Sequence, residues 1–231
     1  MSSYFYRNHP QTCDPEDFWG QVKRTVNGRP VPQEQIDMIV AAVCSGLQLG
    51  AEDVLLDLCC GNGALTTYFF QRCAGGLGVD YSEYLINIAR TNFARRTPDK
   101  FQLDDSLKFA SDYARPERFT KALCYGALMF FTVQDAAHLL AALRRRFRSL
   151  SRLFIGNLPD RDRMHDFFRQ GEYRPGIEND PTSPTGVWYT AGEFTRMAED
   201  AGWSVEIQHM PESFYAAHYR FDALLVAKQT K

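Results

Sequence analysis

Three carboxylates close short apolar runs, and two glycines follow the first of them. Val54-Leu55-Leu56-Asp57-Leu58 is an apolar run broken by one acid; Cys59-Cys60-Gly61-Asn62-Gly63 comes next, then a helix-like segment from Ala64 to Arg72. A buried parallel strand, a tight glycine turn and a helix read this way. Glycine lets the backbone turn sharply and approach a ligand with no Cβ in the way. The helix behind the turn points free N–H groups at whatever lies on it. Leu77-Gly78-Val79-Asp80 is a second run ending in an acid, 23 residues beyond Asp57. That is the interval at which a carboxylate accepts hydrogen bonds from ribose hydroxyls. Phe101-Gln102-Leu103-Asp104-Asp105-Ser106 is a third such end. The chemistry is that of a nucleoside site. The dinucleotide fingerprint wants a third glycine three residues after the second, beneath a pyrophosphate; this chain has Thr66 there. A carboxylate at Asp57 repels phosphate and suits a cation.

The stretch resembles motif I of the class I, Rossmann-like S-adenosylmethionine-dependent methyltransferases, acid-x-Gly-x-Gly-x-Gly in its usual form. Asp57, Gly61 and Gly63 fall on that pattern, and Cys59 stands in for the first glycine. Similar methyltransferases, among them the menaquinone and ubiquinone C-methyltransferases, tolerate cysteine there. Lys121-Ala122-Leu123-Cys124-Tyr125-Gly126 resembles motif IV, whose backbone lines the methionine and the transferred methyl. The resemblance covers residues 35–228. It implies S-adenosylmethionine, a sulfonium nucleoside with an ammonium and no phosphate, as cofactor, and S-adenosylhomocysteine as product. Carried over, the cofactor-binding set is Asp57, Cys59, Gly61, Asn62, Gly63, Asp80, Tyr81, Asp105, Ser106 and Cys124. Asp80 is expected on the ribose and an acid of the third strand end on the adenine amino group. The fold implied is α/β: a seven-stranded, mostly parallel sheet with helices on both faces and an antiparallel last strand. Two other classes compete, a cofactor-binding scaffold that has lost catalysis and a nicotinamide-dependent oxidoreductase. Intact acids at the strand ends weigh against the first, and Thr66 against the second.

The elements that must position these residues follow in order, within a single domain over residues 1–231. Residues 1–34 form an N-terminal extension containing Tyr4, Phe5, Tyr6, Phe18, Trp19 and a turn at Val26 to Pro30. It reads as a lid or substrate wall, or as a patch on the outside of the sheet. Gln33 to Leu47 has apolar residues at helical spacing. Ser82 caps the helix after Asp80, and Thr132-Val133-Gln134-Asp135 reads as a capping box opening a long helix. Arg144, Arg145, Arg146, Arg148 and Arg152 gather at that helix's end as a basic face. Strand five is Leu153 to Asn157. The polar stretch 158–189 exceeds the 2–6 residues usual between strand and helix, and is expected to bind the acceptor. Thr190-Ala191-Gly192-Glu193 opens a helix that stops at Gly202, before strands at Val205–Ile207 and Arg220–Ala227.

Methyl transfer is chiefly a positioning problem. Holding the acceptor in line supplies about 7–11 kcal/mol; a general base adds roughly 3–5 kcal/mol. Candidate bases among the five histidines are His218, before the last strand, and His165, in the long loop. Each also fits a structural or surface histidine. Tyr125 fits either a liner of the methyl path or a plain cavity wall. Arg161, Arg163 and Arg174 offer grips for an acidic acceptor, and Trp188 and Tyr189 either stack on a ring or pack under the loop. No Asn/Asp-Pro-Pro-Tyr or Pro-Cys follows strand four, which argues against the family's usual adenine-N6, glutamine-amide and cytosine-C5 chemistries. A net charge of −2 offers no general pull to nucleic acid or membrane. An O- or N-methylated small molecule is the expected acceptor, with no nucleic-acid or membrane partner, and a monomer or homodimer. No apolar run approaches the ~18–20 residues of a membrane span. The start has no basic segment followed by an apolar one, so a cytoplasmic protein is expected. Cys13, Cys44, Cys59, Cys60, Cys73 and Cys124 lack zinc-type spacing, so reduced thiols and no metal are expected.

Overall fold

In a computed structural model, residues 8–168 and 172–228 are described. The Tyr4-Phe5-Tyr6 stretch lies outside them. Seven strands form one sheet: β1 Val54–Leu58, β2 Gly75–Asp80, β3 Asp99–Leu103, β4 Lys121–Tyr125, β5 Arg152–Pro159, β6 Trp203–Gln208 and β7 Arg220–Ala227. Their spatial order is β3-β2-β1-β4-β5-β7-β6. β1 to β5 pair in parallel, while β7 runs antiparallel to both β5 and β6. The chain builds outward from β1 through β3, then returns to the other side of β1 with β4. Above that reversal the loops of β1 and β4 diverge, leaving a crevice at the strand carboxyl ends where α/β folds bind ligands.

Neighbouring residues of a strand face opposite sides of the sheet, so each buried strand must be apolar on both. Leu55, Leu123 and Phe154 meet α1 (Gln33–Leu47), α2 (Thr66–Phe70) and α3 (Glu83–Asn92). Leu56, Ala122 and Leu153 face the other layer, α4 (Ser106–Asp112), α5 (Val133–Arg146) and α6 (Ala191–Asp200). In α1, Ile36, Ile39, Val43 and Leu47 are wholly buried, each contributing about 1.5–3 kcal/mol. That helix ends at Gln48, whose φ is 50°, while the Leu49 amide donates back to the Cys44 carbonyl, as a left-handed C-terminal cap does.

Several local readings shift in three dimensions. The helix expected over Ala64–Arg72 is regular only over Thr66–Phe70. Thr190 and Glu193 complete a full capping box on α6, but Thr132 forms only half of one. Its hydroxyl receives the Asp135 amide, and the Asp135 carboxylate reaches the Thr132 hydroxyl at 2.8 Å because aspartate is one methylene short of the backbone amide. Three arginines of the basic cluster are spent on carbonyl groups: Arg144 on Gly202, Arg146 on Ala110 and Tyr113, Arg152 on Gly46. β5 continues to Pro159 through an irregular pairing at Asn157, whose φ is 65°. Among the described residues, no helix is long and apolar enough to cross a membrane.

Candidate active site

The crevice is a cavity of about 460 Å3 walled by the ends of β1, β2, β3 and β4 and by the N-terminal segment. Eight of the ten residues assigned to the cofactor line it: Asp57, Cys59, Gly61, Asn62, Asp80, Tyr81, Asp105 and Ser106. Gly63 and Cys124 stand behind the wall. Gly63 has φ 78°, and a Cβ there would lie 2.8 Å from the Phe101 ring, so its bare backbone lets the loop pack on β3. Cys124 is fully buried on β4.

Asp80 organises the glycine loop. One carboxylate oxygen accepts the Gly61 amide at 2.9 Å and the other the Ser82 amide at 2.9 Å, which ties the loop after β1 to the helix start after β2. Gly61 takes φ 58° to present that amide. Cys59, in the place of the usual first glycine, also has φ 58°, a conformation costing an L side chain about 1–2 kcal/mol. Its thiol lies 3.3 Å from the Ser106 hydroxyl; the neighbouring Cys124 thiol and burial together raise its pKa. Asp57 receives the Thr66 hydroxyl at 2.6 Å. The position where a dinucleotide site needs glycine therefore holds a hydroxyl that serves the acid. Burial pushes Asp57 up to about 7, against the pull of Thr66 and Arg24. Burial pushes Asp80 to about 6, opposed by the Ser82, Gly61 and Tyr81 amides. One oxygen of Asp105 caps α4 through the Leu107 and Lys108 amides.

Leu107, Ala127, Phe130, Phe131, Thr132 and Asp135 also line the cavity. Tyr125 lines it too; its buried hydroxyl has no partner, and burial raises its pKa. His165 and His218 do not join it. His165 is 77% exposed and pairs with Asp166, and His218 is exposed with its ring against Tyr219. Among the described residues, none of 158–189 lines the cavity. Arg161 is committed to Glu193, Asn179 and the Trp188 carbonyl, and Arg163 to Asp160 and the Ala217 carbonyl; Arg174 is exposed. Trp188 and Tyr189 are buried. From the N-terminal segment, read from sequence as a lid, a substrate wall or a patch on the sheet, Val22 and Arg24 line the cavity.

Residues 55–149 match the family described as methyltransferase domain. That stretch is a methyltransferase domain. Over 76 residues the chain is 34% identical to uncharacterized methyltransferase C70.08c of Schizosaccharomyces pombe, an overlap of 33% of this chain and 27% of the yeast protein. The match thus spans about a quarter of that relative's length. In fold, the chain resembles the magnesium protoporphyrin IX methyltransferase of Synechocystis PCC 6803 with bound S-adenosylhomocysteine. The TM-score is 0.65 at 17% identity, over 99% of this chain and 95% of that one. It also resembles an S-adenosylmethionine-dependent methyltransferase from Clostridium acetobutylicum, with TM-score 0.64 at 13% identity over 92% and 96% of the chains. A Haloferax volcanii structure, a complex of the Trm112 activator with a methyltransferase, gives TM-score 0.64 at 14% identity over 86% and 92%.

Proposed function

We propose that this chain moves a methyl group from S-adenosylmethionine to an oxygen or nitrogen of a small molecule. One observation carries the reading: a single cavity is lined both by the carboxylates Asp57, Asp80 and Asp105 and by the apolar Leu107, Ala127, Phe130 and Phe131. Asp80 and Asp105 suit a ribose and an adenine amino group, and Asp57 suits the ammonium. When bound, the cofactor supplies a methyl group on positively charged sulfur, already a good leaving group. The chain's contribution is to exclude water and aim the acceptor, through Leu107, Phe130, Phe131 and Tyr125. Among the described residues no histidine lines the cavity, which suits catalysis by positioning. A volume of about 460 Å3 falls within the range of about 300–1,000 Å3 typical of small-molecule sites. The wall carries four carboxylates, Asp57, Asp80, Asp105 and Asp135, against Arg24, a balance that opposes a polyanionic acceptor. The six cysteines are all free thiols, which fits work in the reducing cytoplasm.

Incubation with methyl-labelled cofactor and a fractionated extract tests this. Label is expected in low-mass compounds. Label confined to RNA or protein overturns the acceptor class, and tight cofactor binding with no label anywhere makes the chain a scaffold.

The raised acids give a pH dependence. Both are neutral in the free fold over part of the range where an exposed aspartate, near 3.9, is charged. Their contribution to the stability of the free protein therefore falls as pH rises from about 4 to about 7. Holding an ammonium and a ribose needs them charged. S-adenosylhomocysteine affinity is therefore expected to rise by roughly tenfold or more from pH 5.5 to 7.5, measured by calorimetry. An affinity that falls over that interval counts against Asp57 and Asp80 as the cofactor's partners.

A further inference from the structure

β5 carries one residue more than β7 can match. Ile155 pairs with Ala223 and Leu158 with Phe221, so Gly156 and Asn157 together oppose the single Asp222, a bulge of the kind that re-aims a side chain. Two β7 side chains hold it. The Asp222 carboxylate accepts the Asn157 backbone N–H at 2.6 Å, and Arg220 Nη1 donates to the Asn157 carbonyl at 2.6 Å. Position 156 must be glycine, because a Cβ there would lie 2.1 Å from the Tyr125 ring. Asn157 itself takes φ 65°, a conformation that asparagine reaches more readily than most residues with a side chain. The fold thus commits Arg220 and Asp222 to the backbone of one asparagine.

The side chain of that asparagine lies against the cavity. Gly126 lines the cavity, and a Cβ there would meet Asn157 Nδ2 at 3.7 Å and Arg24 Nη2 at 3.9 Å, with nothing nearer. Bare backbone at Gly126 therefore leaves the Asn157 amide within reach from the cavity. Asn157 Oδ1 is buried without a hydrogen-bond partner, as are the Tyr125 hydroxyl and Arg220 Nε. Of the five such atoms among the described residues, these three gather at the ends of β4, β5 and β7. A buried polar atom without a partner is costly to keep, and such atoms give a site its discrimination when a ligand's polar group completes them.

Leu107, Phe130 and Phe131 give an acceptor no direction; orientation must come from a placed polar group. A carboxamide offers an oxygen that accepts and an NH2 that donates, side by side and uncharged. It matches a neutral group that both gives and takes a hydrogen bond. We propose that Asn157 is a specificity-determining residue for the methyl acceptor: its side-chain amide hydrogen-bonds a neutral hydroxyl or amide group of the acceptor beside Gly126, and molecules lacking that group are rejected. The proposal rests on the small-molecule methyltransferase reading above.

The test uses the full chain, methyl-labelled S-adenosylmethionine and a low-mass extract fraction. Asn157→Gly keeps φ 65° open to the backbone, so its Tm is expected within about 4 °C of wild type. Its S-adenosylhomocysteine affinity by calorimetry should stay within about twofold of wild type, while label transfer falls roughly tenfold or more. Asn157→Asp, which keeps the shape but loses the NH2 and gains a charge, should fall at least as far. Label transfer by Asn157→Gly within about twofold of wild type overturns the proposal, since Oδ1 then needs nothing from the acceptor. A loss of cofactor affinity equal to the loss of transfer overturns it too, because the bulge then only supports the nucleoside site. Should Asn157→Gly not fold, the same two measurements on Asn157→Asp decide. Wild type that binds S-adenosylhomocysteine but labels no low-mass compound removes the acceptor reading beneath the proposal, and the proposal with it.

Discussion

Asp80→Ala is expected to weaken S-adenosylhomocysteine binding at least about a hundredfold, or ~3 kcal/mol. Two losses combine. The carboxylate is the expected acceptor for the ribose hydroxyls, and hydrogen bonds to a charged acceptor contribute about 1.5–3 kcal/mol each. It also holds the amides of Gly61 and Ser82, both at 2.9 Å, so alanine releases the loop that must press against the nucleoside. Asp80 is only 5% exposed, and water cannot readily replace what is removed. Asp80→Asn separates the effects, because one oxygen remains for an amide while the charge is lost; its affinity should fall between the two. Calorimetry gives the affinities, and thermal melting without ligand shows whether the fold persists. If Asp80→Ala binds within threefold of wild type, the ribose lies elsewhere and the orientation of the nucleoside must be redrawn.

The strand ends were readable because they obey local rules. A run such as Val54 to Leu58 is apolar on both faces only when buried in a parallel sheet, and an acid breaking it must answer to something. Asp57, Asp80 and Asp105 therefore stood out before any geometry was known, and all three line the cavity. Residues 1–34 read as a lid, a wall or a patch, but which of residues 18–24 reach the cavity was not readable. Asn62 reaches back to Phe18 and Gln21 by amide hydrogen bonds, and such contacts between distant residues leave no periodicity. Arg24 sits in a short stretch before a two-residue hairpin, Thr25–Val26 against Arg29–Pro30, with nothing local to mark it. His165 and His218 lie outside the cavity lining. Their placement near the long loop and the last strand suggested access, but loop direction is set by tertiary packing, which turns both outward.

The long segment itself yields the second large effect: Trp188→Ala is expected to cost about 3–5 kcal/mol of stability. Trp188 is wholly buried in a cluster with Phe167, Phe168 and Tyr219, at centroid distances of 5.5, 5.6 and 6.0 Å. Its indole N–H donates to the Thr185 hydroxyl at 3.0 Å, so alanine leaves both a void and an orphaned hydroxyl. Its backbone is equally engaged, the amide on the Glu178 carbonyl at 2.8 Å and the carbonyl receiving Arg161 at 2.8 Å. This ring is the plug that lets a polar, Pro- and Gly-rich stretch hold one conformation beside β5 and β7. For a chain of this size the loss corresponds to a fall in Tm of roughly 6–20 °C, read by circular dichroism, with Trp188→Phe recovering part of it by refilling the void. Residue 189, paired with Asp160, should lose protection from amide exchange in the same variant. A Tm for Trp188→Ala within about 2 °C of wild type would mean that the segment is held by its backbone contacts alone, and that the aromatic cluster is free to serve another purpose.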